Sequence, residues 1–511
     1  MSNVSSKELE LKLELTPQEL LRVAANPALE DLTVGKPVTK VLRSIYFDTP
    51  DHRLHAKGIA LRLRAADEQW VQTVKDGQGL KSGVSNPREV EAVVARAEPD
   101  LAAIEDPDLR RAVEKATRHS ALEPQFETVV TRTTRQLHSD KGDMELALDE
   151  GIVRAGGIES KLCEVELELK AGSPECLLET ATALFGSEPI RVAEETKSER
   201  GYRLALGRSD PALVPLKAER TVLSGNETCA EALQTFVASA GQQIELNRRA
   251  MLETDDPEAA HQLRVGLRRL RSALRAFRPL EDSVATRELA RHAKELGQSV
   301  GELRNADIFI ESIYVPVAAA RKEEPGFPEL REALVANRDE LRGKSRAALL
   351  GEQWSKLQLY LALWPHTVKA NPRLEMPITE LAASALDRSW SKIAKRAAKL
   401  ETMSPEERHE MRKTLKVFRY AVEYFESLYE PHKVRRFIKD LKRLQDVFGY
   451  LNDVKTARAL DGICDQRCPS SPAAHRAAGY TLGWHDVNAN HAWADATNLW
   501  RRLAKRERFW E

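Results

Sequence analysis

Residues 7–15 read KELELKLEL. Taken alternately, Glu8, Glu10, Lys12 and Glu14 share one side, and Leu9, Leu11, Leu13 and Leu15 the other. Period two marks a strand, because successive side chains leave opposite faces of the backbone. The leucine side demands a packed layer. The other side lines up carboxylates with one lysine among them, which is costly without a counter-ion close by. The pattern returns in CEVELELK (163–170), where Glu164, Glu166, Glu168 and Lys170 share a side. It returns with the opposite sign in ALRLRA (60–65), through Arg62 and Arg64. Further cations stand at strand-like places: Lys75 in QTVKD, Arg88 in PREVE, Arg132 and Arg135 in TRTTR, and Lys197 and Arg200 in ETKSERGY.

An amphipathic sheet with one wet face explains any of these strands singly. Exposed strands, however, mix Thr, Ser, Gln and both signs of charge. Acids gathered on some strands and arginines on another call for a divalent cation and a highly charged anion respectively. Together they describe a metal–oligophosphate site inside a charged sheet enclosure, with apolar residues facing outward against helices.

The chain of 511 residues and 57.4 kDa is too long for one ordinary domain. It is 42% hydrophobic and 31% charged, and no apolar run approaches the ~20 residues of a membrane helix. The start, MSNVSSKELELK, lacks the apolar core of a secretory signal. Cysteines 163, 176, 229, 464 and 468 are odd in number and scattered, which suggests a reducing compartment and hence the cytoplasm. The net charge of zero hides a split. Residues 1–210 hold 29 Lys and Arg against 37 Asp and Glu, leaving 49 against 41 of the chain's 78 and 78 for the remainder.

The first ~205 residues alternate short strand-like runs with turns. Helices interrupt them, opened by Thr16-Pro17 and Ser173-Pro174, each a capping hydroxyl before a proline at the first helical position. Proline, glycine and polar residues cluster over 206–221, read as a linker. From 222 to 511 the 3.6 period takes over, which predicts an all-helical region. The fold class is therefore α+β: a mixed sheet region over 1–205, then an all-α region.

The helical region is duplicated. His261, Arg264, Arg268 and Arg271 stand at offsets 0, 3, 7 and 10, and His409, Arg412, Lys416 and Arg419 repeat them 148 residues later. Gly301 and Gly449 each follow 40 residues after the histidine, so the copies run over about 257–310 and 405–458. On a helix His261, Arg264, Arg268, Arg271 and Arg275 share one face, opposite Leu263, Leu267, Leu270, Leu274 and Phe277. A solvated surface is the ordinary explanation of a charged face, but like charges at i, i+3 and i+4 repel, and such a face would intersperse glutamate. A polyanion offsets that repulsion through charge-assisted hydrogen bonds. Single-strand readers interleave aromatics with cations. Only Tyr420 lies beside either row, so a ligand that is all phosphate fits better than nucleic acid.

The stretches HQLRVGLRRLRSALRAF, RHEMRKTLKVFRYAVEYF, LQDVFGYLND and GYTLGWHD…LWRRLAKRERFW resemble the CHAD domain, a helical module named for its histidines and associated with inorganic polyphosphate. Asn305 departs from the aspartate usual there. The resemblance implies polyphosphate binding by His261, Arg264, Arg268, Arg271, Arg275, His409, Arg412, Lys416 and Arg419.

In the first region Glu8-x-Glu10-x-Lys12 is similar to the ExExK motif of the CYTH, or triphosphate tunnel metalloenzyme, family. IYFDTPDHRLHAKGIALRLR, QTVK, REVEA, ELALDEGIV, CEVELELK and ETKSERGY continue the likeness in order. The pairing of the two regions is similar to that in bacterial inorganic triphosphatases. The resemblance implies an eight-stranded antiparallel barrel with flanking helices. In it Glu8, Glu10, Glu164, Glu166, Glu168 and Asp149 would hold Mg²⁺ or Mn²⁺. Lys12, Arg62, Arg64, Lys75, Arg88, Arg132, Lys197 and Arg200 would grip the triphosphate, with Lys12, Glu8 and Glu10 closest to the chemistry. Which of Arg132 and Arg135 points inward stays open.

The expected reaction is metal-dependent hydrolysis of inorganic triphosphate to diphosphate and phosphate, without a covalent intermediate, since no Ser–His or Cys–His pair is evident. Thiamine or nucleoside triphosphatase and class IV adenylate cyclase remain alternatives, as does a non-catalytic polyphosphate tether. Neither nucleic acid nor membrane is expected as a partner, and the oligomeric state is open.

Overall fold

The structure is a computed structural model, and it describes residues 9–66, 69–77, 79–80, 83–85, 88–118, 120–207, 214–368 and 371–511. Glu8 lies outside the described residues. The chain forms two compact units. Unit 1 joins Met1–Ala212 to Trp354–Thr367, and unit 2 joins Leu213–Gln353 to Val368–Glu511. The segment Trp354–Thr367 thus belongs to unit 1, although in sequence it lies far inside the region read as the helical domain.

Unit 1 is built on an antiparallel sheet of β1 (Leu9–Glu14), β2 (Thr33–Asp48), β3 (Ile59–Ala66), β4 (Gln69–Asp76), β5 (Val84–Ser85), β6 (Arg88–Val94), β7 (Glu123–Ser139), β8 (Gly142–Ala155), β9 (Ile158–Gly172) and β10 (Arg191–Val192). Around it stand α1 (Pro17–Ala24), α2 (Pro27–Leu32), α3 (Pro107–Thr117), α4 (Pro174–Phe185) and α5 (Lys197–Ala205). Family likeness implied eight strands. The hydrogen-bonded path instead runs through nine, β10-β1-β9-β8-β7-β2-β3-β4-β6, with β5 paired to β1 off the path. The additions are two-residue segments, β5 and β10, too short to show a period in sequence. β5 lies in the chain between β4 and β6, at the far end of the path. Its pairs with β1, Leu11 to Val84 and Glu10 to Ser85, bring the two ends of the sheet together.

The period-two reading of β1 holds. Leu11 and Leu13 are fully buried on the outer side, while Glu10 and Lys12 line an interior cavity. Packing is therefore outside the sheet. Leu61, Leu63 and Val74 meet Leu109 and Val113 of α3, and Phe126, Val153 and Leu162 meet Tyr202 of α5. Thr16 and Glu19 form a reciprocal capping box at the start of α1, whereas Ser173 occupies the cap position of α4 without a capping hydrogen bond.

Unit 2 is helical: α6 (Cys229–Glu253), α7 (Pro257–Phe277), α8 (Val284–Ile308), a π-helical turn at Phe309–Tyr314, α9 (Val315–Ala320), α10 (Gly326–Leu350), α12 (Ile378–Ala397), α13 (Pro405–Phe425), α14 (Pro431–Ala457), α15 (Ala459–Arg467) and α16 (Pro472–Ala504). The helix between α10 and α12 is α11 (Glu352–Thr367), which belongs to unit 1 from Trp354 onward. The duplication read from sequence reappears as matched helices. α7 and α13 each span 21 residues and begin with proline, and α8 and α14 follow them. The apolar faces of α7 and α13 meet through Phe277 and Phe425, 6.4 Å between ring centres, and Tyr424 Oη donates to Arg269 O at 2.5 Å. No helix among the described residues is long and apolar enough to cross a membrane.

Candidate functional site: a charged cavity inside the sheet

Inward-facing residues of β1–β4 and β6–β9 surround a cavity of about 1010 Å³. Register places like charges side by side. On β9, Glu164 lies between Glu14 of β1 and Asp149 of β8, and Glu168 lies between Glu10 and Glu145. Glu166 lies opposite Lys12. Directly opposed carboxylates are unfavourable alone, and cations answer them here. Lys197, the first residue of α5, places Nζ 2.5 Å from Glu164, 2.8 Å from Glu166 and 2.9 Å from Asp149. Arg132 forks onto both oxygens of Asp149 at 2.7 and 2.6 Å and also pairs with Glu166. Lys12 Nζ lies 2.7 Å from Glu166 and 3.2 Å from Glu10.

Local structure explains why Lys197 is there. A capping box between Thr196 and Glu199 starts α5 at that residue, and Tyr202 Oη donates to buried Asp48 at 2.8 Å. Burial pushes the Glu166 carboxyl up, but Arg132, Lys12 and Lys197 outweigh it and hold it well below the usual range. Burial likewise opposes charge on Lys197, yet Glu164, Glu166 and Asp149 raise its pKa. Glu10 goes the other way, because burial dominates over the pull of Lys12.

The opposite wall is cationic. Arg62 lies 3.5 Å from Glu89, and Lys75 lies 2.5 Å from the same carboxylate. Arg64 has no carboxylate within ion-pair distance among the described residues, and its hydrogen bond to Ser44 Oγ is long at 3.4 Å. Burial, with Arg62 and Arg132 nearby, pushes Arg64 down to about 10. An anion would relieve that repulsion.

The structure brings together Glu10, Lys12, Arg62, Arg64, Lys75, Arg132, Asp149, Glu166, Glu168 and Lys197 along the cavity, with Glu164 buried behind Lys197. Arg132, not Arg135, points inward; Arg135 reaches Ala24 O. Two expected phosphate ligands, Arg88 and Arg200, are not among the residues that line the cavity. Arg88 pairs with Asp106, the cap of α3 and itself at the cavity, while Glu89 and Glu91 of β6 line the cavity directly. Arg200 pairs with Glu14 and Glu195, one helical turn away from Lys197. Glu89, Glu91, Ser44, Tyr46 and Glu145 line the cavity but escaped the sequence reading. Alternation in REVE carried the signal for Glu89 and Glu91, but the arginine drew the inward assignment.

The acidic wall can be tested as a metal site. Asp149, Glu164 and Glu166 each offer an oxygen, all within 4.8 Å of one another. Glu164 Oε1 is buried with no hydrogen-bond partner among the described residues. An all-oxygen anionic set with an orphaned carboxylate oxygen suits a hard divalent cation.

In unit 2 the basic rows of α7 and α13 converge. Burial and then Arg268, Arg412 and Arg264 push the Lys416 ammonium down to about 6. Burial followed by Arg268, Arg412 and Arg304 pushes Arg264 down to about 10. Arg264 is oriented by Gly301 O at 2.7 Å and Asn305 Oδ1 at 3.0 Å, so Asn305 accepts where an aspartate would. His409 bonds Asn452 at 2.8 Å. His261 is lowered by burial and then by Arg304, a cation the sequence reading passed over. Arg271 lies near Arg275 and Arg268, whereas Arg419 is paired with Glu423 at 3.0 Å.

Comparison with known proteins matches the chain in two stretches, the second of which runs on through the Trp354–Thr367 segment of unit 1. The CYTH-domain family model matches residues 6–202, and the CHAD-domain family model matches residues 235–460. The chain therefore carries a CYTH domain followed by a CHAD domain. An inorganic triphosphatase of Haemophilus influenzae is 28% identical over 205 residues, covering 40% of this chain and 56% of that relative. The crystal structure of a CHAD domain from Ricinus communis covers 58% of this chain and 99% of its own, with 27% identity and a TM-score of 0.51. A Hippeastrum protein described as an adenylyl cyclase with a dominant triphosphatase activity covers 40% of this chain and 98% of its own at 23% identity. Its TM-score is 0.30, too low to bear on the function.

Proposed function

We propose that the cavity of unit 1 hydrolyses inorganic triphosphate to diphosphate and phosphate with a divalent metal, Mg²⁺ or Mn²⁺, and that the converging basic rows of unit 2 bind polyphosphate. The observation that carries the first part is the gathering of both charges in one enclosure: the acid cluster of Glu10, Glu164, Glu166 and Asp149 faces Arg62, Arg64 and Lys75, of which Arg64 has no carboxylate partner among the described residues. The same residues argue against an inert tether, since burying such a set without a ligand is costly.

Asp149, Glu164 and Glu166, with Glu10 and Glu168 beside them, would hold the metal. The metal would supply charge neutralisation and a more acidic bound water. Arg62, Arg64, Lys75 and Arg132 would fix the phosphate oxygens, and Lys12 and Lys197 would turn from the carboxylates to the terminal groups. Phosphoryl transfer needs chiefly alignment and charge stabilisation, which a rigid cage of cations provides. Two rings line the cavity, and both are already stacked: Tyr46 on Phe126 at 4.5 Å and His55 on Tyr202 at 4.1 Å. Each has one face taken by that neighbour, and no further ring among the described lining residues offers a platform for a nucleobase or thiazole, which favours the inorganic substrate.

The test is phosphate release from inorganic triphosphate and from ATP, each with Mg²⁺ and with chelator. Preference for inorganic triphosphate, lost on chelation, is expected. A strong preference for ATP with cyclic AMP as product would overturn the substrate assignment.

A further inference from the structure

Helix α11 buries two polar side chains that the cavity does not use: Ser355 at 0% and Gln358 at 4% exposure. Both bind the backbone of residues 188–192. Ser355 Oγ donates to Glu188 O at 2.5 Å and accepts from Ile190 N–H at 3.2 Å. Gln358 Nε2 donates to Ile190 O at 2.7 Å, and its Oε1 accepts from Val192 N–H at 3.2 Å. Trp354 Nε1 donates to the same oxygen at 3.2 Å, which fixes the orientation of the amide. Acceptors and donors presented at every second residue are what a neighbouring strand would offer. Two helical side chains thus take the place of a strand on β10, the terminal strand of the sheet path.

The inner side of β10 holds β1 at the cavity. Val192 pairs with Leu13, Arg191 pairs with Glu14, and Ala193 N–H donates to Lys12 O at 2.9 Å. Lys12 N–H in turn donates to Gly83 O at 2.8 Å. A Cβ on Gly83 would stand 2.6 Å from Val192 Cβ, so the segment carrying β5 is seated against β10 as well. The backbone of Lys12 is clamped on both its polar groups, and the clamp leads back to α11.

We propose that Ser355 and Gln358 are positioning residues for the cavity: they fix β10, and through β10 the place at which the Lys12 ammonium meets the bound anion. The identity of that anion rests on the function proposed above. In the full chain, Gln358→Ala is expected to lower kcat/KM for Mg²⁺-tripolyphosphate by about tenfold or more, the scale at which small misplacements act. Amide exchange should quicken at Lys12, Val192 and Ala193 while β7 and β8 keep their rates. Gln358→Glu, which keeps an acceptor for Val192 N–H, should recover part of both effects. If α11 only covers an edge, exchange quickens with kcat/KM unchanged, and the proposal is overturned. Unchanged exchange at Lys12 overturns it too. Should the wild-type protein not turn over tripolyphosphate, the reading of the reaction falls. Calorimetry with Mg²⁺-tripolyphosphate then decides the positioning claim: about tenfold weaker binding by Gln358→Ala upholds it, and equal or absent binding by both proteins sinks it.

Discussion

Glu166 divides its two carboxylate oxygens among Lys12, Arg132 and Lys197. Removing its charge leaves three buried cations short of a partner, and the same change takes an oxygen from the metal set. Glu166→Gln is therefore expected to cut kcat by about 10²-fold or more and to destabilise unit 1 by about 3 kcal/mol, read by phosphate release and urea unfolding. Unimpaired phosphate release would place the chemistry elsewhere. The pH response has a definite sign. The folded carboxyl titrates below its unfolded value, so its stabilisation is complete above the usual glutamate pKa of about 4.3 and is lost as pH falls through the folded value. Glu166→Gln should flatten that acid limb. Lys416 behaves in reverse, because its folded pKa, about 6, lies below the usual lysine value. Between the two values the unfolded chain binds the extra proton, so stability rises with pH over that window. A polyanion beside Lys416 should restore its charge. Calorimetry at pH 8 in buffers of different ionisation enthalpy should then show proton uptake on polyphosphate binding, absent in Lys416→Met. Equal uptake in both proteins would contradict the placement of Lys416 at the ligand.

Helix α5 shows how an element aims a side chain. Its Gly201 presses on the Phe126 ring with no room for a methyl group, and Tyr202 docks on Asp48. Gly201→Ala should push α5 off β7, costing about 1–3 kcal/mol, and should weaken turnover because Lys197 heads the same helix; a thermal melt and an activity assay check both. A melt unchanged from wild type would show that the helix accommodates the methyl group. Sheet residues were legible to the extent that alternation fixed their parity. KELELKLEL and CEVELELK each carry five or more alternating positions, and of their acids Glu10, Glu166 and Glu168 line the cavity. PREVE is short, and its arginine is taken by Asp106 while Glu89 and Glu91 line the cavity. ETKSERGY looked strand-like, yet a capping box makes it helical, which sets Arg200 one turn beyond Lys197, on Glu14 instead of at the cavity. β5 and β10 had no period to read. Matched helices in unit 2 were legible because a face repeated 148 residues apart is a stronger signal than any single face.

At the level of the molecule, the division at 206–221 is crossed by a helix returning from position 354. Nothing in the periodicity of EQWSKLQLYLALWPHT tells which neighbour it serves, since an apolar helical face looks alike in either company. A fragment ending at residue 221 would lack Ser355 and Gln358. It should melt below unit 1 of the full chain, and a peptide of residues 352–368 should raise its melting temperature by mass action. A fragment as stable as the parent would show that β10 manages its edge unaided. Calorimetric melts of both settle it.

The return of α11 also sets a schedule for synthesis. A nascent chain that has emerged through residue 205 holds every strand of its barrel, but the ribosome must add about 160 more residues before Thr367. At the usual elongation rate of about 5–20 residues per second, that interval is roughly 10–30 s. For that time the backbone of residues 188–192 waits with its outer hydrogen bonds unfilled, a template for pairing with the sister chains on the same message. Slowed translation between codons 205 and 367 should therefore lower the soluble yield, while the same delay placed after 367 should not.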